Sequence, residues 1–279
     1  MRIVESRVEF AGVRSRELRV QGEGPPVILF HGFSDSADTW RPLLERFLAA
    51  GRAAVAFDQP GFGLADMVSR ELVLPQLDAF ADAVIEHEAA AAGRPVVIAG
   101  NSLGGTTALR AAGRQGRGTI EAIVPIGPAG LTHARWLQVI EAERLLWLLL
   151  RSPVKPPEFV TREVVGRAYR LLGFNRPSGA PPESVASFAR HLSDLDRVKE
   201  ILACGRRLYP EINRKPYRFK LIECQVLLIW GETDRFVPIA GAQELIENVP
   251  HTKLEVIREC GHLPQVECPD RVAELIFGL

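Results

Sequence analysis

Near residue 20 the chain changes the way it alternates hydrophobic and polar positions. "IVESRVEF" (3–10) and "SRELRV" (15–20) alternate apolar and polar residues on either side of "AGV". They predict an antiparallel pair of strands. Beyond them, "PVILF" (26–30), "AAVAF" (53–57), "PVVIAG" (95–100), "EAIVPIG" (121–127), "QVLLIWG" (225–231) and "KLEVIRE" (253–259) are short runs rich in Val, Ile and Leu. Most are nearly continuous, the pattern of strands covered on both faces. Helical patterns fall between them. "ADTWRPLLERFLAAG" (37–51) stops at Gly51, and "LPQLDAFADAVIEHEAAAAG" (74–93) puts Leu74, Leu77, Ala81, Val84 and Ile85 on one stripe. "PIAGAQELIENV" (238–249) and "PDRVAELIFGL" (269–279) each open on proline, which suits a first helical turn. Strand–helix alternation with short loops predicts an α/β fold: a mostly parallel, doubly wound, eight-stranded sheet flanked by helices.

One region interrupts this order. Between Leu131 and Lys220 the patterns are helical: "ARWLQVIEAERLLWLLL" (134–150), "TREVVGRAYRLLG" (161–173) and "ESVASFARHLSDLDRVKEILACGRRLY" (183–209). Proline-rich breaks at "SPVKPPE" and "RPSGAPPE" separate them. The expected organisation is a core of residues 1–130 and 221–279, with an all-helical cap inserted at 131–220. Trp136, Leu137, Ile140 and Trp147 are too many apolar residues for one narrow stripe, so they are candidates to line a substrate pocket.

Composition excludes more than it assigns. The 279 residues are 47% hydrophobic and 24% charged, with a formal net charge of +0. That balance gives no basic field for nucleic acid and no polybasic tract for acidic lipid. The N-terminus lacks signal-peptide character, and the longest apolar run, around "LLWLLL", is far too short to span a bilayer. The four cysteines lie far apart and form no CxxC pair, so they fit neither a dense disulfide framework nor a zinc site. A cytoplasmic protein with reduced thiols is expected.

Candidate chemistry centres on "VVIAGNSLGG" (96–105). Gly100-Asn101-Ser102-Leu103-Gly104 fits G-x-S-x-G at a predicted strand-to-helix turn, the context the motif requires. There the serine oxygen stands clear of the sheet, beside the N–H groups of a helix start. A serine hydroxyl needs a base. Of six histidines, only His31, in "FHGF", and His262, in "ECGHLPQVECP", follow strands where a parallel sheet forms its crevice. His262 is the candidate base. His31 is expected to brace its loop, from which the Phe33 N–H can point at an oxyanion near Ser102. Asp234, in "WGETDRFVP", is the candidate acid that orients the imidazole, with Glu232 as runner-up.

With these residues in view, the chain resembles the α/β-hydrolase fold family of the single-domain type with a helical cap. "HGFSDSADTW", "FDQPGFGLAD", "GNSLGG", "WGETDRFVP" and "GHLPQVECP" carry the resemblance, in that order. It implies Ser102 as nucleophile, Asp234 as acid, His262 as base and an oxyanion hole from the N–H groups of Phe33 and Leu103. It implies no metal or organic cofactor, a small-molecule substrate and a structural role for Asp58; it leaves the oligomeric state open. Ser102 argues against dehalogenases and epoxide hydrolases, which carry Asp at that position. Relatives that cleave carbon–carbon bonds in ring-fission products share a "GNS" elbow. They usually have a glycine-rich loop after the first His-Gly and a Trp after the catalytic His, where this chain has "FSDSADTW" and Leu263. The expected activity is therefore a carboxylesterase acting on apolar, small-to-medium esters. A carbon–carbon hydrolase, a cofactor-free perhydrolase and a small-molecule receptor are the alternatives.

Overall fold

A computed structural model describes residues 2–115, 118–132, 150 and 155–279. Its eight strands are β1 (Val4–Phe10), β2 (Val13–Val20), β3 (Glu23–Phe30), β4 (Arg52–Phe57), β5 (Val96–Asn101), β6 (Ile120–Ile126), β7 (Gln225–Gly231) and β8 (Thr252–Ile257). They form one sheet in the order β1-β2-β4-β3-β5-β6-β7-β8. β1 pairs antiparallel with β2, and β2 antiparallel with β4; every other pairing is parallel. The expected sheet is present. β2 starts two residues earlier than the sequence suggests because Ala11 (φ 50°) and Gly12 (φ 74°) alone make the turn. Positive φ at both turn residues is the two-residue geometry whose twist matches the flanking strands.

Alternation along the inner strands divides the core between two faces. Ile28, Phe30, Val55, Phe57 and Ile98 pack beneath α2 (Val73–Ala92), α3 (Leu103–Ala112) and α7 (Gly241–Asn248). Val27, Leu29, Ala54, Ala56, Val97 and Ala99 face α1 (Arg41–Ala49) and α9 (Pro269–Phe277) on the other side. Leu74, Leu77, Ala81, Val84 and Ile85 are all buried, as their stripe on α2 predicts. Each Leu, Val or Ile among them removed from water contributes about 1.5–3 kcal/mol before chain entropy is counted.

Between β6 and β7 the described residues are helical: α4 (Glu158–Gly173), α5 (Pro182–His191) and α6 (Leu195–Asn213), with short 3₁₀ turns. The continuous helical pattern of 183–209 is in fact two helices. Asp194 starts the second, its carboxylate accepting the Asp196 N–H at 3.2 Å. α7 likewise begins at Gly241, three residues after the proline expected to open it. The pocket candidates Trp136, Leu137, Ile140 and Trp147 lie outside the described residues.

The sheet order sets the position of the crevice. β3 has β4 on one side and β5 on the other. The connections therefore diverge at the carboxyl ends of β3 and β5, the switch point where open α/β sheets bind ligands. His31 to Asp35 leave β3 there, and Ser102 leaves β5.

Candidate active site

Ser102 joins β5 to α3 with φ 53° and ψ −111°, a conformation that non-glycine residues avoid. Its backbone is held on both sides. The Ser102 N–H donates to the Ile126 carbonyl (2.9 Å), and the Ser102 carbonyl accepts from Thr106 (3.1 Å) and Ala129 (3.2 Å). The flanking glycines are needed for space. A Cβ at Gly100 would lie 2.1 Å from the Gly104 carbonyl oxygen, and one at Gly104 would lie 1.9 Å from that of Phe30. Gly104→Ala should therefore cost more than about 4 kcal/mol of stability, measured by denaturant unfolding beside the wild type.

His262 follows β8 and is almost fully buried. Its Nδ1 lies 2.7 Å from Asp234 Oδ2. The other carboxylate oxygen, Oδ1, accepts the N–H groups of Phe236 (2.9 Å) and Val237 (2.8 Å). Asp234 is thus fixed from one side and holds His262 from the other, leaving Nε2 as the nitrogen available to a reacting group. Glu232, the runner-up acid, is exposed and accepts the Glu259 N–H at 3.1 Å. Asn101 beside the serine donates its Nδ2 to the His262 carbonyl (2.9 Å), which ties the two loops together.

The His262 loop is also bound to the helices beyond β6. The His262 N–H donates to the Gly173 carbonyl at the end of α4 (2.8 Å). Glu267, in α8 (Pro264–Glu267), accepts from Gly261 (2.7 Å) and Asn175 (3.0 Å). A Cβ at Gly261 would come within 2.6 Å of the Asn175 nitrogen. Gly261 therefore serves this close approach and does not adopt a positive φ, a reason the sequence alone does not reveal.

His31 lies in the loop as expected. Its Nδ1 is 2.7 Å from the Gly32 carbonyl, and its Nε2 accepts the Gln59 N–H at 2.9 Å. Both nitrogens serve the backbone, and burial lowers the imidazole pKa to about 4. Asp58 is equally structural. Arg16 grips it at 2.9 and 3.2 Å, and Ala37 and Leu64 donate their N–H groups to it. Arg16 also reaches Asp38 (2.8 Å), which His191 of α5 meets from above at 3.0 Å. Burial alone would raise the Asp38 pKa, but His191, Arg16 and Arg41 overcome it and hold the carboxylate well below its usual range.

Ser102 and His262 open into one chamber of about 380 Å³, within the range of small-molecule pockets. Phe33, Val165, Leu172, Phe188, Leu192, Ile201 and Leu263 contribute to its mostly apolar wall. Phe33 lies on the loop after β3, and Leu103 opens α3 beside the serine. Two buried polar groups missed at the sequence level also line the chamber, Asp35 and Tyr169. Burial raises the Asp35 pKa to about 7. The folded chain therefore binds this proton more tightly than the unfolded chain, and stability falls as pH rises from about 4 to about 7. Asp35→Asn does not share that loss. Its stability relative to wild type should gain about 2–3 kcal/mol between pH 5 and pH 8, as read from thermal melts at the two values. Among the described residues no group of His, Cys, Asp or Glu is arranged to hold a metal ion, and no helix is long and apolar enough to cross a membrane.

A sequence model of the Alpha/beta hydrolase family matches residues 27–275. The chain belongs to that family. It is 27% identical over 257 residues to a 2-hydroxy-6-oxononadienedioate/2-hydroxy-6-oxononatrienedioate hydrolase of Comamonas testosteroni, covering 89% of this chain and 85% of that one. It is 28% identical over 269 residues to the pimeloyl-[acyl-carrier protein] methyl ester esterase of Xanthomonas oryzae pv. oryzae, covering 92% and 95%. The solved 2-hydroxy-6-oxo-6-phenylhexa-2,4-dienoate hydrolase of Rhodococcus sp. strain RHA1 superposes with a TM-score of 0.76, with 22% identity, covering 99% of this chain and 98% of that one. The relatives of this α/β hydrolase thus include 2-hydroxy-6-oxo acid hydrolases and an ester hydrolase. The esterase expected from the sequence is one of the activities among them.

Proposed function

We propose that this α/β hydrolase uses Ser102, His262 and Asp234 as a catalytic triad, and that it cleaves the carbon–carbon bond beside a ketone in an unsaturated 2-hydroxy-6-oxo acid. The observation that carries the triad is the 2.7 Å contact of His262 Nδ1 with Asp234 Oδ2, in a chamber that also holds the strained Ser102. The substrate class is supported by relatives of that activity that align over most of both chains. Residues 131–220 are read as the cap over this chamber. Arg167 on α4 is the one cationic side chain among the described lining residues, and it is exposed. It suits a carboxylate held at the rim while the apolar end of the substrate lies inside.

The chemistry follows from this placement. With the substrate as its 2,6-dioxo tautomer, His262 takes the Ser102 proton as Oγ attacks the C6 ketone. The N–H groups of Phe33 and Leu103 receive the oxyanion, where losing one donor costs about 3 kcal/mol. Collapse breaks C5–C6. The electron pair passes to C5, conjugated with the 2-oxo group, and the His262 imidazolium protonates that carbon. Water then gives a proton to His262 and attacks the acyl ester. The carboxylic acid departs and Ser102 regains its proton.

Ester cleavage is the second reading. It is favoured by the esterase relative and by "FSDSADTW" and Leu263, which depart from the ring-fission pattern. The same triad serves it, with an alcohol leaving in place of C5. The two are separated by kcat/KM for 2-hydroxy-6-oxo-6-phenylhexa-2,4-dienoate against a p-nitrophenyl ester series from acetyl to palmitoyl. The dienoate should exceed the best ester by at least about tenfold. A reversed ratio with a medium-chain optimum assigns the esterase, and no turnover of either sinks both.

A further inference from the structure

Apart from Ser102 and His262, two buried titratable side chains line the chamber, Asp35 and Tyr169. Asp35 stands two residues beyond Phe33 on the loop after β3, is 5% exposed and lines the chamber. Tyr169 reaches the same wall from α4, is 8% exposed, and is held in place by stacking on Phe188 at 4.1 Å. The Thr39 side chain lies between them and interacts with both. Behind it, the fully buried Gln265 donates Nε2 to Thr39 at 3.3 Å and keeps an Oε1 with no partner. The Ser36 hydroxyl is also buried and unpartnered. The loop and α4 therefore bring Asp35 and Tyr169 to the wall of a mostly apolar chamber, with Thr39 and Gln265 buried behind them.

Asp35 is the member a purely structural role explains least. Its Oδ1 accepts the Ser36 N–H at 2.8 Å, a bond that a serine or asparagine would also make. No ion pair compensates it among the described residues, since Arg16 is engaged with Asp38 and Asp58. A buried carboxyl without a counter-charge is costly when ionised. Held as the acid, it supplies an O–H donor instead, and burial moves its titration to about 7. Such a donor in an apolar wall matches a neutral acceptor oxygen and gives a plain hydrocarbon nothing.

We propose that Asp35, flanked by Tyr169, is a specificity-determining residue that receives a second, uncharged oxygen of the substrate, so that the chamber selects acyl compounds bearing an inner keto, enol or hydroxyl group over plain hydrocarbon acyl groups. This deepens the hydrolase reading above and rests on it for the word substrate. Both readings of the cleaved bond accommodate it.

The test is binding, measured by calorimetry on the Ser102→Ala protein, with methyl hexanoate and its 3-oxo, 4-oxo and 5-oxo analogues as ligands. At least one oxo ester should bind tenfold or more tighter than methyl hexanoate. Adding Asp35→Leu should bring that ratio to about twofold or less, while methyl hexanoate binds as before and reports that the chamber is intact. Asp35→Asn keeps a neutral donor and should keep most of the preference. Between pH 6 and pH 8.5 the preference should fall in the Asp35 protein and stay level in Asp35→Asn. His191 of α5, Tyr169 of α4, Glu267 of α8 and Asp38 and Arg16 of the sheet body are the other charged or titratable groups around it, and all are common to both proteins. No preference for any oxo ester, or a preference that survives Asp35→Leu, overturns the proposal. If Asp35→Leu does not fold, the Asp35→Asn pH comparison decides. Because Ser102→Ala binds without turnover, absence of turnover by the wild type would defeat the triad reading and leave this comparison intact.

Discussion

Ser102→Ala is expected to lower kcat by about 10⁵–10⁶-fold on whichever substrate the wild type turns over. Without Oγ no covalent intermediate forms, and only binding and the oxyanion donors remain. The fold should be unaffected. The bonds that hold residue 102 are made by its backbone, to Ile126, Thr106 and Ala129, and alanine retains them. Steady-state kinetics beside a thermal melt therefore separates lost chemistry from lost structure. A residual rate above about one part in a hundred, with the melt unchanged, would mean that another group attacks the substrate.

Asp234→Asn should lower kcat by about 10⁴-fold, the size of a wrong-tautomer effect in a comparable triad. The direction follows from the contacts. Oδ1 accepts two backbone N–H groups, from Phe236 and Val237, so the amide oxygen of asparagine must take that place. Its NH₂ then faces His262 Nδ1 and forces this nitrogen to accept. The proton moves to Nε2, which can no longer take one from Ser102. Glu232→Gln removes a charge from an exposed side chain whose contact is the Glu259 N–H, and should leave kcat within about threefold, as expected away from the site. Kinetics of the two variants side by side checks the assignment, and the reverse ordering would move the acid to Glu232.

Much of this was legible in the sequence because it was encoded locally. The continuous apolar runs of β3 to β7 announce a sheet covered on both faces, and "GNSLGG" at the end of one run places the elbow. What escaped depends on contacts between distant residues. Gly261 reads as a flexible point, but its lack of a side chain admits the end of α4 and Asn175, some 90 positions earlier in the chain. Asp35 reads as a loop aspartate in "HGFSDS", and its burial beside a chamber that Tyr169 of α4 also lines depends on residues more than a hundred positions away. The break between α5 and α6 was hidden because "HLSDLD" keeps an apolar residue at helical spacing while Asp194 caps a new helix. The proposed carbon–carbon cleavage has no local signature beyond "GNS".

The central claim, that Ser102 is the nucleophile of a covalent hydrolase, is tested most directly by intact-protein and peptide mass spectrometry after treatment with a fluorophosphonate. One adduct per chain should form on the peptide containing Ser102, and none should form in Ser102→Ala. An adduct that persists in Ser102→Ala, or that maps to a different residue in the wild type, would contradict it.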